Sequence, residues 1–201
     1  MSSKNHSGIS FPLIVSAYNF FMREGFTPVC APMTVSKKMM DHTCPPGVRD
    51  RRLRHIDGST YVASAEQSFL QMEVDGDIDD SDWLMAITPC YRDDDLDDTH
   101  FNIFLKVELF AYNMDDFELI AGMAYKFWTD HVGLPVTKLK TPDGIDIMYG
   151  DLELGSFGTR LTTQGIPYVY GTGVAEPRGS MAITMENERD GTCHRPTKEM
   201  W

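Results

Sequence analysis

Tyr91-Arg92-Asp93-Asp94-Asp95-Leu96-Asp97-Asp98-Thr99-His100 sets one arginine among five carboxylates. An apolar, β-rich stretch leads in from Trp83 to Tyr91, and another leads out from Phe101 to Tyr112. The run therefore reads as the connection of a β-hairpin. A guanidinium at the mouth of such a hairpin, crowded by acids, suits a polyphosphate whose charge is carried partly by Mg²⁺. Asp94 and His100 stand beside it in the loop. On the returning strand Phe104 alternates with Glu108, and its ring could stack on a flat base.

The surroundings are acidic. From Glu73 to Asp98 there are eleven carboxylates and a single basic residue, Arg92, and the whole chain carries a net charge of -12. Proteins that hold nucleic acid neutralise phosphates with Lys and Arg, so this composition weighs against a large nucleic-acid footprint. The acids from Asp75 to Asp82 read as a solvated face. With 201 residues, 42% of them hydrophobic, the chain can build one sizeable core, and a single domain spanning 1–201 is expected. Cys30, Cys44, Cys90 and Cys193 are scattered with no C-x-x-C pair, which fits reduced thiols in a cytoplasmic protein. No stretch is long and apolar enough to cross a bilayer, and Met1 to Ser10 lacks the order of a signal peptide.

Along the chain, Phe11 to Glu24 has apolar residues at helical spacing and stops at Gly25. Phe26 to Val35 is β-rich but carries Pro28 and Pro32, as an edge or interface strand would. Thr43 to Asp57 holds Pro45, Pro46, Gly47 and a basic cluster (Arg49, Arg51, Arg52, Arg54), and reads as a polar loop. A short strand at Thr60 to Ala63 and a helix at Ser64 to Val74 follow. Met114 to His131 predicts one long helix, with His131 a cap or packing residue rather than a ligand. Beyond it, β-like segments broken by glycine are expected at Val136 to Lys140, Ile145 to Gly150, Leu152 to Leu154 and Pro167 to Gly171, and a last helix from Arg178. The fold class is α+β, a mostly antiparallel sheet flanked by helices. Its core is placed at about 11–185, with a polar tail at 187–201.

Two further constellations could meet a charged ligand. Asp146 and Glu153 can converge across a turn at Gly150-Asp151, and paired carboxylates with substrate phosphates are the usual seat of Mg²⁺; Gly155, Ser156, Gly158 and Arg160 follow. Gly171-Thr172-Gly173-Val174-Ala175-Glu176-Pro177-Arg178 ends a strand in G-x-G and puts Arg178 in the first turn of a helix. It is not a P-loop, because the Lys-Ser/Thr ending is missing, nor a dinucleotide fingerprint, because the third glycine is.

Helix, Pro-bearing strand, Arg-bearing hairpin, carboxylate pair and G-x-G-to-Arg helix follow one another from Phe11 to Met185. That order resembles the catalytic core of class II aminoacyl-tRNA synthetases, in particular the aspartate/asparagine/lysine subgroup. By this resemblance Gly25 to Pro32 is the dimer-forming motif 1 and implies a homodimer. Cys90 to Leu96 is motif 2, with Arg92 on the α-phosphate and on the carboxylate being activated. His100 faces the ATP tail, Phe104 stacks on adenine, and Glu108 lies on the floor of the site. Asp146 and Glu153 are the metal-binding acids, Arg160 reads a substrate side-chain carboxylate, and Arg178 is the motif 3 arginine over adenine. Gln67, with Ser64 beside it, falls among the substrate contacts. Cys44 to Asp50, including Gly47, resembles a mobile loop that closes on the substrate.

The last third is also similar to the ammonia-dependent asparagine synthetases, through Glu153-Leu154-Gly155-Ser156-Phe157-Gly158-Thr159-Arg160. Three positions depart from the pattern: Leu70 replaces a lysine set against the side-chain carboxylate, Asp94 a glutamate, and Ala175 a glycine. No segment resembles an anticodon-binding domain, and the acidic surface adds to the expectation that tRNA is not the partner. The resemblance implies an ATP- and Mg²⁺-dependent, AMP-forming ligase. It would activate an acidic amino acid, aspartate first, and pass it to an amine such as ammonia. A carrier protein, metabolite or nucleotide as acceptor, or a paralogue that only binds ligand, are the alternatives.

Overall fold

The computed structural model describes residues 8–45, 47, 51–79, 83–93, 95, 97, 99–189 and 191. Asp94, Arg49, Cys193 and most of the polar tail lie outside the described residues.

Helix α1 (Phe11–Arg23) begins at Ser10, whose hydroxyl accepts from the Leu13 N–H, and the chain turns out of it at Gly25 with φ +105°. Strand β1 (Thr27–Pro28) follows, then β2 (Thr34–Val35), α2 (Lys37–Thr43), β3 (Thr60–Tyr61) and α3 (Ala65–Asp75). The hairpin is β4 (Trp83–Tyr91) and β5 (Ile103–Ala111). A 3₁₀ turn (Met114–Asp116), α4 (Phe117–Lys126) and a π-helical turn (Phe127–Val132) replace the single helix expected from Met114 to His131. In that last turn His131 packs on the Phe20 and Phe127 rings and shares a 2.8 Å hydrogen bond with Ser16. Strands β6 (Thr137–Thr141), β7 (Gly144–Tyr149), β8 (Leu152–Leu161) and β9 (Pro167–Glu176) lead to α5 (Arg178–Arg189).

Seven strands pair in the order β1-β4-β5-β9-β8-β7-β6, while β2 and β3 form a separate pair. β1 runs parallel to β4, and the other pairings are antiparallel. The proline-bearing β1 is an edge strand, as its missing N–H requires.

Period-2 alternation divides the sheet into two faces. Leu105, Val107, Leu109 and Ala111 of β5 join α1, α4 and α5 in a large core with Phe21, Ile120, Trp128 and Phe157. On the other face Phe110, Leu84, Ala86 and Tyr168 pack under α2 and α3 through Met39, Met40, Phe69 and Leu70. Helices α2 and α3 cover only part of that face. The uncovered part carries Phe104, Lys106 and Glu108.

Strands β8 and β9 run far beyond the glycines that seemed to end them. A Cβ on Gly155 would sit 2.2 Å from the Thr172 carbonyl oxygen, and one on Gly171 would sit 1.9 Å from the Phe157 ring. These glycines let neighbouring strands and a core ring come close; they do not break the strands. Backbone cannot yield as a side chain can, so Gly155→Ala should lower stability by about 3 kcal/mol, the upper end for overpacking. Chemical denaturation of the variant against the parent measures this.

Candidate functional site

The uncovered face forms a cleft of about 720 Å³. Strands β4, β5, β8 and β9 make its floor, and the loop after α2, the start of α3 and the start of α5 make its walls. Among the described lining residues six cations (Arg51, Arg52, Arg92, Lys106, Arg160, Arg178) face five carboxylates (Glu66, Asp93, Glu108, Asp143, Glu153). The acidic chain thus keeps its cleft free of the negative charge that marks the rest of it, as an anionic ligand would need.

Arg92 does not pair with the acids of its own loop. Its Nε donates to the Ala63 carbonyl at 3.3 Å, and among the described residues no carboxylate lies within ion-pair distance. Arg51 takes that part instead, 3.0 Å from Asp95 and 3.9 Å from Asp93, and so ties the Pro-rich loop to the hairpin. Three cations gather round one ring: Arg178, Arg92 and Lys106 stand 5.2, 5.8 and 5.9 Å from the centroid of Phe104. Arg178 also donates from Nε to the Thr99 carbonyl at 3.0 Å and from Nη1 to Glu153 at 3.4 Å. Pro177 and the first turn of α5 place it there.

Glu108 is 3% exposed and heavily bonded. Ser64 Oγ donates to it at 2.7 Å, the Ala65 N–H donates to its other oxygen, and Thr172 Oγ1 lies 3.4 Å away. The Cys90 thiol donates at 3.3 Å; burial, then the Glu108 charge, push that thiol well above its ordinary range. Gln67 closes a capping box: its Oε1 accepts from the Ala63 and Ser64 N–H groups, and its Nε2 donates to Thr43. Ser64, Gln67 and Glu108 therefore line the cleft while already bonded to one another's elements.

Arg160 has a partner that was not foreseen. Its Nη1 reaches both oxygens of Glu66 at 2.8 Å, and its guanidinium lies 4.5 Å from the centre of the Tyr170 ring. Glu66 is 5% exposed and also accepts from the Tyr168 hydroxyl at 2.8 Å. Burial raises its pKa, and Arg160 and Tyr168 work against that rise.

Other expected groups stand apart. His100 is bonded to Asp97 at 2.7 Å on the outer side of the loop and does not line the cleft. Hydrogen bonds from the Thr99 N–H and from His100 hold Asp97 far below the usual carboxylate range. Gly47 is also outside the lining. Asp146 pairs with Ser156, and Glu153 with Met148 across a bulge, so the two acids share the cleft face; only Glu153 lines the cleft. Among the described residues no cluster of three metal-ligating groups occurs. Two acids on one face do fit the mode in which Mg²⁺ takes few protein ligands and completes its shell with phosphate and water. Lys106 and Glu66 went unassigned in the sequence; the strict alternation Phe104, Lys106, Glu108 was the signal that could have shown the first.

No protein-family model and no curated sequence matches the chain. Solved structures do. The Desulfitobacterium hafniense pyrrolysyl-tRNA synthetase PylSc superposes with a TM-score of 0.66 at 18% identity over 90% of this chain and 67% of its own. Pyrococcus horikoshii seryl-tRNA synthetase complexed with ATP gives 0.69 at 18%, over 88% and 50%. Naegleria fowleri cytoplasmic serine-tRNA ligase with AMP gives 0.67 at 16%, over 88% and 48%. The fold is that of the class II aminoacyl-tRNA synthetase core. The chain spans about two-thirds of the pyrrolysyl enzyme and half of the seryl enzymes. Among the described residues no helix is long and apolar enough to cross a membrane.

Arg160→Met would leave Glu66 buried without its cation. A carboxylate whose folded pKa is raised loses stability as pH climbs through that value, so the variant should be hurt most near neutrality and least near pH 5. Arg160 is partly exposed, so the cost at pH 7.5 should be about 2 kcal/mol, below the usual range for breaking a buried pair. Thermal melts of both proteins across that pH range measure the difference.

Proposed function

We propose that this chain is an ATP-dependent, AMP-forming ligase that activates the carboxylate of an amino acid. The observation that carries the reading is the gathering of Arg92, Lys106 and Arg178 round Phe104 at one end of a cleft with buried polar groups at the other. Structures of the same fold with ATP and with AMP support it.

In this reading the adenine stacks between Phe104 and Arg178. A flat base needs about 7 Å between the groups that sandwich it, twice a van der Waals contact. Arg178 stands 5.2 Å from the ring, so it lifts as the base enters. That motion breaks the 3.4 Å contact to Glu153 and frees its carboxylate. Arg92, uncommitted to any described acid, takes the α-phosphate. Asp146 and Glu153 would hold Mg²⁺, which supplies charge neutralisation to the phosphates. The substrate carboxylate attacks the α-phosphorus in line, and the fixed cations stabilise the charge spread over the transition state. Glu108, already saturated, keeps the start of α3 against the floor. His100 reaches the ATP tail only if it leaves Asp97.

The finer reading from the resemblance is an acidic amino acid, aspartate first, read by Arg160 and passed to an amine such as ammonia. A second reading of the side chain rests on Glu66: its charge offsets that of Arg160, and a pair with no net charge has no attraction for a second carboxylate but would match an amide or hydroxyl, which both donates and accepts. A homodimer through the Gly25–Pro32 edge belongs to the same proposal, and tRNA is not the acceptor.

Pyrophosphate exchange across a panel of amino acids tests activation. Arg92→Ala and Arg178→Ala should each slow exchange by about 100-fold or more, as loss of a transition-state donor does. ATP binding with no exchange for any amino acid would identify a ligand-binding paralogue. Within the panel, preference for asparagine or glutamine that shifts toward aspartate in Glu66→Gln supports the neutral reading; preference for aspartate in the parent supports the acidic one.

A further inference from the structure

Lys106 is a cation in the floor of the cleft whose donors are not used. Its side chain is 9% exposed, and its Nζ stands 3.7 Å from Glu108 Oε1, too far for a hydrogen bond. No hydrogen bond from this ammonium to any described residue is found closer than that ion pair. Glu108, for its part, already accepts from Ser64, Ala65, Cys90 and Thr172. Burial of an ammonium is costly unless it is paired and hydrogen-bonded, and here the pairing is loose. An anion in the cleft would give this ammonium a closer partner than Glu108 does at 3.7 Å.

We propose that Lys106 is a third catalytic cation, which holds the substrate carboxylate oxygen that attacks the α-phosphorus. This rests on the adenylation reading and names a residue for it. Phe104, Lys106 and Glu108 point to the same side of β5 at intervals of about 7 Å, two residues of strand each. With the base on Phe104, the α-phosphate lies over the next position along, where Arg92 converges from β4. Carboxylate and α-phosphate are both anions and repel as they meet, and an ammonium between them offsets that repulsion. The carboxylate oxygen forms its bond to the α-phosphorus as the bond from that phosphorus to the bridging oxygen breaks. Pyrophosphate leaves with the electron pair, and no proton is transferred.

The test is pyrophosphate exchange, with melting curves and ATP binding measured beside it. Lys106→Met should lower the exchange kcat about 100-fold while ATP affinity changes by less than about threefold. Lys106→Ala leaves a cavity the size of the lost stem, and added ethylammonium should restore at least about tenfold of the rate without raising the melting temperature. Lys106→Arg keeps the charge and covers the case in which the smaller variants fold poorly. Parental exchange rates in Lys106→Met would overturn the proposal. So would amine rescue of stability without rescue of rate. If Lys106 only neutralised Glu108, the Lys106→Met, Glu108→Gln double variant would recover the rate of Glu108→Gln alone, which also overturns it. No exchange by the parent protein with any amino acid overturns this proposal and the adenylation reading together, whereas a silent Lys106→Met in an active parent overturns this one alone.

Discussion

The Glu108 carboxylate joins four elements at one buried point. Ser64 and Ala65 bring the start of α3 to it, Cys90 comes from β4, Thr172 from β9, and Glu108 itself from β5. A negative charge at the first N–H groups of a helix suits the helix dipole, and hydrogen bonds to a buried carboxylate are stronger than neutral ones. Because α3 is docked this way, its N-terminus stops at the edge of the cleft, and Glu66 and Gln67 become wall residues. Without that docking the face of β5 that bears Phe104 and Lys106 would lose the wall that α3 supplies.

The same node accounts for the charge of the cleft. An acidic protein that binds a polyphosphate must segregate its own charge. Here most acids near the cleft have a cation: Glu66 has Arg160, Glu153 has Arg178, and Asp93 and Asp95 have Arg51. Arg92 and Lys106 remain for the ligand. The first impression of Arg92, a cation enclosed by its own acids, is replaced by one in which Arg51 of the preceding loop draws Asp93 and Asp95 away.

Much of this was legible in the chain because it is local. The limits of β4 coincide with the expected Trp83 to Tyr91, Pro28 marked an edge strand, and the helix expected from Ser64 to Val74 is α3, within a residue at each end. Where reading failed, a distant contact had overruled a local signal. Gly155 and Gly171 looked like strand ends, but each is a glycine because Thr172 or Phe157, remote in sequence, passes too close for a Cβ. The helix from Met114 divides at Lys126, where a π-helical turn brings Trp128 to the Gly173 carbonyl. His100 was expected toward the ligand, but Asp97, three residues back, bonds it on the outer side.

By itself the sequence determined the order of parts: a hairpin arginine, alternating floor residues, two acids on one strand pair and an arginine at a helix start. Those follow from period, from proline and from capping chemistry, which act over a few residues. The tertiary structure alone decided which charges cancel. Glu66 meets Arg160 across 94 residues, and Lys106 meets a Glu108 whose oxygens other elements have already filled. Charge pairing depends on distance in space and on exclusion of water, and neither can be read along the chain.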